Sequence, residues 1–174
     1  MEYREARDLL EKYVGREKGI IDHSIAVSEF LYEISSHIKE KNPDIDIDPE
    51  RMRVIGLLHD IGKLEDKNHF VAGAEILERE GLPEIAEVVK KHGIAKEVCR
   101  AEGIEGDFEP ESLEEKLLTY ADARVKHDKI VSFEKRFRDF LERTKRDKEK
   151  YEAAEEGYKR IKKIVKEIED LRDR

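Results

Sequence analysis

Three stretches far apart in the chain each set an ionisable residue into an apolar helical pattern. His23 precedes Val27 by four residues and so shares the stripe formed by Val27, Phe30, Leu31, Ile34 and Ile38. The doublet His59-Asp60 follows Gly56-Leu57-Leu58 and runs on into Ile61-Gly62-Lys63. Asp122 sits in Tyr120-Ala121-Asp122-Ala123, between Leu118 and Val125. Ionisable groups beside buried apolar side chains carry a desolvation cost unless something compensates it. A divalent cation is one compensation, because imidazole nitrogen and carboxylate oxygen suit Zn, Fe, Mn, Co or Ni. Facing helices of a bundle fix the geometry of such a site. A closed set of buried hydrogen bonds and salt links without metal is the other, and periodicity alone leaves both open.

His23, His59-Asp60 and Asp122, in that order, resemble the H…HD…D signature of the HD-domain superfamily of metal-dependent phosphohydrolases. Asp60-Ile61-Gly62 is similar to its HDIG variant, and the likeness spans roughly residues 15–130. The resemblance implies that His23, His59, Asp60 and Asp122 hold a first metal. His69-Phe70-Val71-Ala72-Gly73-Ala74 resembles the histidine-led helix start of subfamilies with two metals, and His92-Gly93 the histidine that follows it. That likeness implies Asp60 as a bridge, with His69 and His92 on the second ion; helix capping or phosphate binding by these histidines is the competing role. The nearest branch is that of bacterial diadenosine tetraphosphate hydrolases, which usually has His-Thr where His92-Gly93 stands, so its substrate does not carry over.

The expected activity is hydrolysis of a phosphate ester or anhydride of a nucleotide or similar small molecule. One or two divalent ions would lower the pKa of a bound water and polarise a phosphoryl oxygen, with Asp60 orienting the nucleophile. Lys63, about one turn past the doublet, is placed to meet a phosphate oxygen. Arg124 and Lys126, with Lys129 and Arg136 further on, form a local cationic exit for a small phosphorylated substrate. Arg124 is the nearest of them, while Lys129 and Arg136 read as solvated charges. Glu65 and Asp66 are loop carboxylates able to handle protons, His37 and His127 have no place in the pattern, and Cys99 reads as packing. Two other functions fit the same residues: an HD-type di-iron oxygenase, or a non-catalytic interaction module stabilised by its metal.

The elements that must position these side chains are helical. Apolar spacing by threes and fours predicts helices near 2–13, 20–41, 49–61, 69–80, 83–92 and 95–102, a loop at 103–110, and a helix from Ser112 past Val125. Gly15, Asn42-Pro43, Asp48-Pro49, Gly62 and the Ser112/Glu115 capping box punctuate them. No stretch alternates with period two. The expected fold is an all-α, HD-domain-like irregular bundle over 1–131 with a charged C-terminal helical extension over 132–174. The extension's seam from Phe137 to Ile168 suits either a helical hairpin folding back, turning near 146–149, or a coiled coil joining two subunits. Gly157 favours the hairpin over one continuous helix.

Composition narrows the functions. The 174 residues carry a formal charge of −8, which argues against generic nucleic-acid binding through a uniform positive field. No apolar run approaches the roughly 18–20 residues of a membrane span. The charged start Met1-Glu2-Tyr3-Arg4-Glu5 is unlike a secretory signal, and a lone cysteine suits a reducing compartment, so a cytoplasmic location is expected. Gln is absent and Asn occurs only at 42 and 68, a bias of hot-adapted proteins.

Overall fold

A computed structural model describes residues 1–173. The chain runs α1 (Tyr3–Val14), α2 (Lys18–Lys41), α3 (Pro49–Leu58), α4 (His69–Arg79), α5 (Pro83–Val89), α6 (Ala95–Ala101), α7 (Leu113–Asp122), β1 (Val125–Lys126), β2 (Lys129–Ile130), α8 (Phe133–Thr144) and α9 (Lys148–Arg172). The fold is all-α apart from one two-stranded hairpin among the described residues. Side-chain caps fix several helix starts. Asp48 accepts from the amides of Glu50 and Arg51 with Pro49 behind it, Asn68 accepts from those of Phe70 and Val71, and Ser112 and Glu115 cap each other reciprocally.

α2 packs along α3, and α7 and α9 close the same core. Leu31, Leu57, Leu58, Leu117, Leu118 and Tyr120 have no solvent exposure. Each such aliphatic side chain contributes about 1.5–3 kcal/mol by leaving water. The core therefore lies directly beneath the helix ends that carry the ionisable residues.

Two boundaries differ from the periodic reading. α3 stops at Leu58 instead of running through Ile61. His59 Nδ1 donates to the Gly56 carbonyl at 2.7 Å, the acceptor a continuing helix would offer to the Asp60 amide. Bonds from Ile61 to Leu58, Lys63 to Asp60 and Glu65 to Gly62 then tighten the chain into successive turns. Likewise α7 ends at Asp122, and Val125 belongs to the hairpin, paired with Ile130 while Lys126 pairs with Lys129. Its turn begins at His127, whose φ is +55°. Strands of two residues are too short to display an alternation, so this hairpin leaves no periodic trace.

The C-terminal extension is a helical hairpin. Asp147, a polar break in the seam, caps α9 through the Lys150 amide. Phe133 stacks on Tyr158 at 5.1 Å and Phe137 meets the same ring edge-on, clasping α8 to α9. Ile161, Ile164, Val165 and Ile168 join the main core. α9 is continuous across Gly157, and the residue is needed for contact: a Cβ there would lie 2.3 Å from the Ile94 side chain. Arg160 completes this junction, donating to both oxygens of buried Glu97 at 2.7 and 2.9 Å and to the Gly93 carbonyl at 2.9 Å.

Candidate metal centre

The ionisable residues collect where helices end. His23 lies in the second turn of α2, His59 and Asp60 just past α3, His69 at the first position of α4, His92 just past α5, and Asp122 at the last position of α7. His59 is wholly buried, Asp60 4% exposed and His92 2% exposed. His23, His59 and Asp122 present donor atoms within 4.8 Å of one another, and so do His59, Asp60 and His92.

Three of the imidazoles are oriented alike. Nδ1 of His23 donates to the His127 carbonyl at 2.8 Å, that of His59 to Gly56, and that of His92 to the Val89 carbonyl at 2.5 Å. A carbonyl only accepts, so each Nδ1 carries a proton and each Nε2 faces the centre. This is how backbone carbonyls orient metal-binding histidines. His59 Nε2 is buried with no hydrogen-bond partner, 3.5 Å from Asp60 Oδ2 and 3.7 Å from Asp122 Oδ1. His92 and His69 each place Nε2 at 3.8 Å from Asp60 Oδ1, and His23 Nε2 lies 3.1 Å from Asp122 Oδ1. Ligand atoms sharing an ion at about 2.0–2.2 Å stand about 2.8–3.6 Å apart at octahedral or tetrahedral angles, close to the separations found here. The orphaned His59 Nε2 and the nitrogen–oxygen donor set therefore fit a divalent ion.

Charge states agree with that fit. Burial works against the Asp60 carboxylate, but the His59 and His92 rings and the Lys63 ammonium hold it well below the usual carboxylate range. Burial likewise opposes Asp122, and the hydrogen bond from His23 with the nearby His59 ring keeps it well below that range. Burial and the Lys63 charge push His69 down to about 3, so its ring is neutral and able to donate a lone pair. His23 moves the other way: burial lowers it, and the contacts with Asp122 more than offset that.

The HD domain family matches residues 20–126, most of the chain and every one of these ligand candidates. The chain belongs to the HD domain family. HD domains bind divalent metals, and membership implies metal-dependent hydrolase-type activity. An uncharacterized protein of Methanocaldococcus jannaschii is 35% identical over 78% of this chain and 86% of its own length. A tRNA (cytidine(56)-2'-O)-methyltransferase of Picrophilus torridus is 35% identical over 66% of this chain, and a ribonuclease Y of Alkaliphilus metalliredigens 35% over 61%. Those matches cover only 33% and 19% of the two longer proteins. No solved structure matches.

Within this HD domain, Gly62 makes the centre possible. A Cβ there would come within 2.3 Å of the Gly73 amide and 2.6 Å of the His69 carbonyl, so only glycine lets the doublet's turn lie against α4. Gly93 has φ +58° and turns its carbonyl to Arg160. A cavity of about 1010 Å³ opens over the centre, and Lys63 lines it, 3.3 Å from both Asp60 oxygens.

The expected cationic exit is rearranged. Arg124 does not line the cavity: its guanidinium donates to the Val131 carbonyl, the Tyr120 hydroxyl and Glu169. The chain turns into the β hairpin straight after α7, and these three partners hold Arg124 away from the cavity lining. Lys126 does line the cavity but is paired with Asp139. Arg136, read from sequence as solvated, lines it instead. Lys129 and Glu65 stay outside, whereas Asp66 and His127 are part of its lining. His37 is exposed on α2. Cys99 is buried, and burial with the Glu102 charge pushes its thiol up to about 11, which suits packing. Sequence reading missed the His127 carbonyl behind His23 and the Arg160 grip on the loop after His92; neither belongs to a pattern of residue types.

Proposed function

We propose that this HD domain is a phosphohydrolase cleaving a phosphate ester or anhydride of a nucleotide, with one or two divalent transition ions (Mn, Fe, Co, Ni or Zn) held by His23, His59, Asp60, Asp122, His69 and His92. The observation that carries this reading is His59 Nε2, buried without a partner and aimed between two ionised carboxylates. An ion held there supplies a water of lowered pKa and a positive charge against a phosphoryl oxygen. The protein's own part is orientation and charge. Backbone carbonyls hold three imidazoles with Nε2 inward, and Asp60 lies between the two histidine groups. Lys63, partly exposed on a flexible four-carbon stem, can leave Asp60 to meet a phosphate oxygen. The names of the ribonuclease Y and tRNA methyltransferase relatives support a nucleic-acid-derived substrate.

The test is elemental analysis of the purified full chain joined to a phosphate-release screen over nucleotides and phosphodiesters with Mn, Fe, Co, Ni, Zn and Mg. His59→Ala and Asp60→Ala should abolish bound metal and turnover together. Retained metal in both variants would rule out the ligand set. A fully loaded protein that turns over none of the panel would overturn the hydrolase reading.

A further inference from the structure

The cavity over the centre has a wall that lies outside the HD match at 20–126: the α8 residues Arg136, Asp139, Phe140, Glu142 and Arg143. Five lysines and arginines line the cavity. Lys63 faces Asp60, Lys67 pairs with Glu75, and Lys126 pairs with Asp139. Among the described residues, Arg136 and Arg143 are the two with no carboxylate within 4.0 Å. Glu142, beside Arg143, is taken by Lys145 at 2.6 Å, and Glu102 accepts from Asn68 at 2.7 Å. Two arginines thus line the cavity without a direct ion pair, the nearest acid acting on Arg143 being Asp139, which Lys126 already engages. Arg136 is also held in place, its Nε donating to the Val125 carbonyl at 2.8 Å.

Positions 136, 140 and 143 follow i, i+4, i+7 spacing and so share one helix face, spanning about 10 Å along the axis. Phe140 stands between the two arginines, with the Arg143 guanidinium 5.5 Å from its ring centre. Behind Phe140 lies an annex of about 250 Å³, which shares Ile94, Val98, Glu102 and Phe140 with the main cavity and carries Asp147, Glu149 and Lys150 on its lining. Burial and the neighbouring Arg136 charge draw the Arg143 guanidinium below its usual value, and the Asp139 carboxylate offsets this only in part.

Arginines outside any direct ion pair, an aromatic face and a recess beside it form the combination that holds a phosphate and a base together. We propose that Arg136, Phe140 and Arg143 form a second subsite, in which a base stacks on Phe140 and a non-scissile phosphate lies against the two arginines. The preferred ligand is then a nucleoside flanked by two phosphates: a dinucleotide or the end of an oligonucleotide. This rests on the hydrolase reading for what happens at the metal centre, while the subsite itself belongs to α8.

Binding to the full chain in chelator, where turnover is prevented, tests the subsite by itself. The probes are 5′-phosphorylated diadenylate, AMP and a 5′-phosphorylated oligoadenylate of about ten nucleotides, followed by calorimetry. Diadenylate should bind at least about tenfold more tightly than AMP. Arg143→Ala and Phe140→Ala should each remove most of that preference, Phe140→Trp should keep it, and Arg136→Lys should weaken it through loss of the fork. Arg143 is exposed, and thermal melting of each variant separates loss of binding from loss of fold. Oligoadenylate binding equal to diadenylate assigns the subsite to a chain end; its exclusion with diadenylate still bound assigns it to a free dinucleotide. Equal affinity for diadenylate and AMP, or variants that match the wild type, overturns the proposal. Binding that depends on the arginines without hydrolysis under any metal would sink the hydrolase reading and leave the subsite standing.

Discussion

His23 joins both sides of the centre, with Nδ1 donating to the His127 carbonyl and Nε2 3.1 Å from Asp122. With both nitrogens in hydrogen bonds to acceptors the ring is an imidazolium, which is why its pKa is raised on folding. A raised value means the folded chain holds this proton more tightly than the unfolded one. The pair therefore stabilises the metal-free protein fully below the unfolded value of about 6.5 and loses that contribution as pH climbs through the folded value. Asp122, depressed on folding, contributes above about pH 4 and loses its share as pH falls through its own folded value. In chelator, wild type should exceed His23→Gln in stability by about 1–3 kcal/mol near pH 6, and melting curves should show that gap shrinking towards pH 8. Metal binding has the opposite slope, because an ion must displace the Nε2 proton. Its affinity should rise from pH 6 to 8 with about one proton released per ion, measured by calorimetry in buffers of different ionisation enthalpy. An affinity that stays flat over that range would remove His23 from the ligand set.

At the scale of elements, the centre exists because helix ends are brought unusually close. The turn after α3 lies on the start of α4 only because Gly62 has no side chain to meet Gly73 and the His69 carbonyl. Both obstructing groups are backbone and cannot rotate aside. Gly62→Ala should cost about 1–3 kcal/mol in denaturant unfolding. It should also separate Asp60 from His69, lowering metal stoichiometry more than it lowers the helix content seen by circular dichroism. A variant with unchanged stoichiometry would show that this approach does not set the centre. Much at this scale was legible: the Asp48-Pro49 and Ser112/Glu115 starts, the stop near Gly15, and the histidine-led α4 all follow from capping chemistry and spacing. The end of α3 was not, because it depends on a side chain competing for a carbonyl, and the hairpin after α7 was too short to leave a pattern.

Over the whole molecule, the C-terminal hairpin is part of the same core as the helices before it. Ile161, Ile164, Val165 and Ile168 are buried against that core, and at about 1.5–3 kcal/mol each they rival the ~5–15 kcal/mol that separates folded from unfolded domains. A fragment of residues 1–131 should therefore lose its cooperative transition in scanning calorimetry; a sharp transition within about 5 °C of the full chain would show the hairpin to be dispensable. The apolar seam of α9 is buried within the chain's own core. No helix among the described residues is long and apolar enough to cross a membrane. By themselves the residues determined the helical class, most helix starts and the identity of the clustered histidines and aspartates, since periodicity, capping and the H…HD…D order are local or strictly ordered along the chain. Only the tertiary structure decided which cations face the cavity. Arg124 and Arg136 look alike in sequence, but Arg124 is taken by the Val131 carbonyl, Tyr120 and Glu169 while the docking of α8 brings Arg136 to the cavity, and no local rule encodes which distant partners a long side chain will meet.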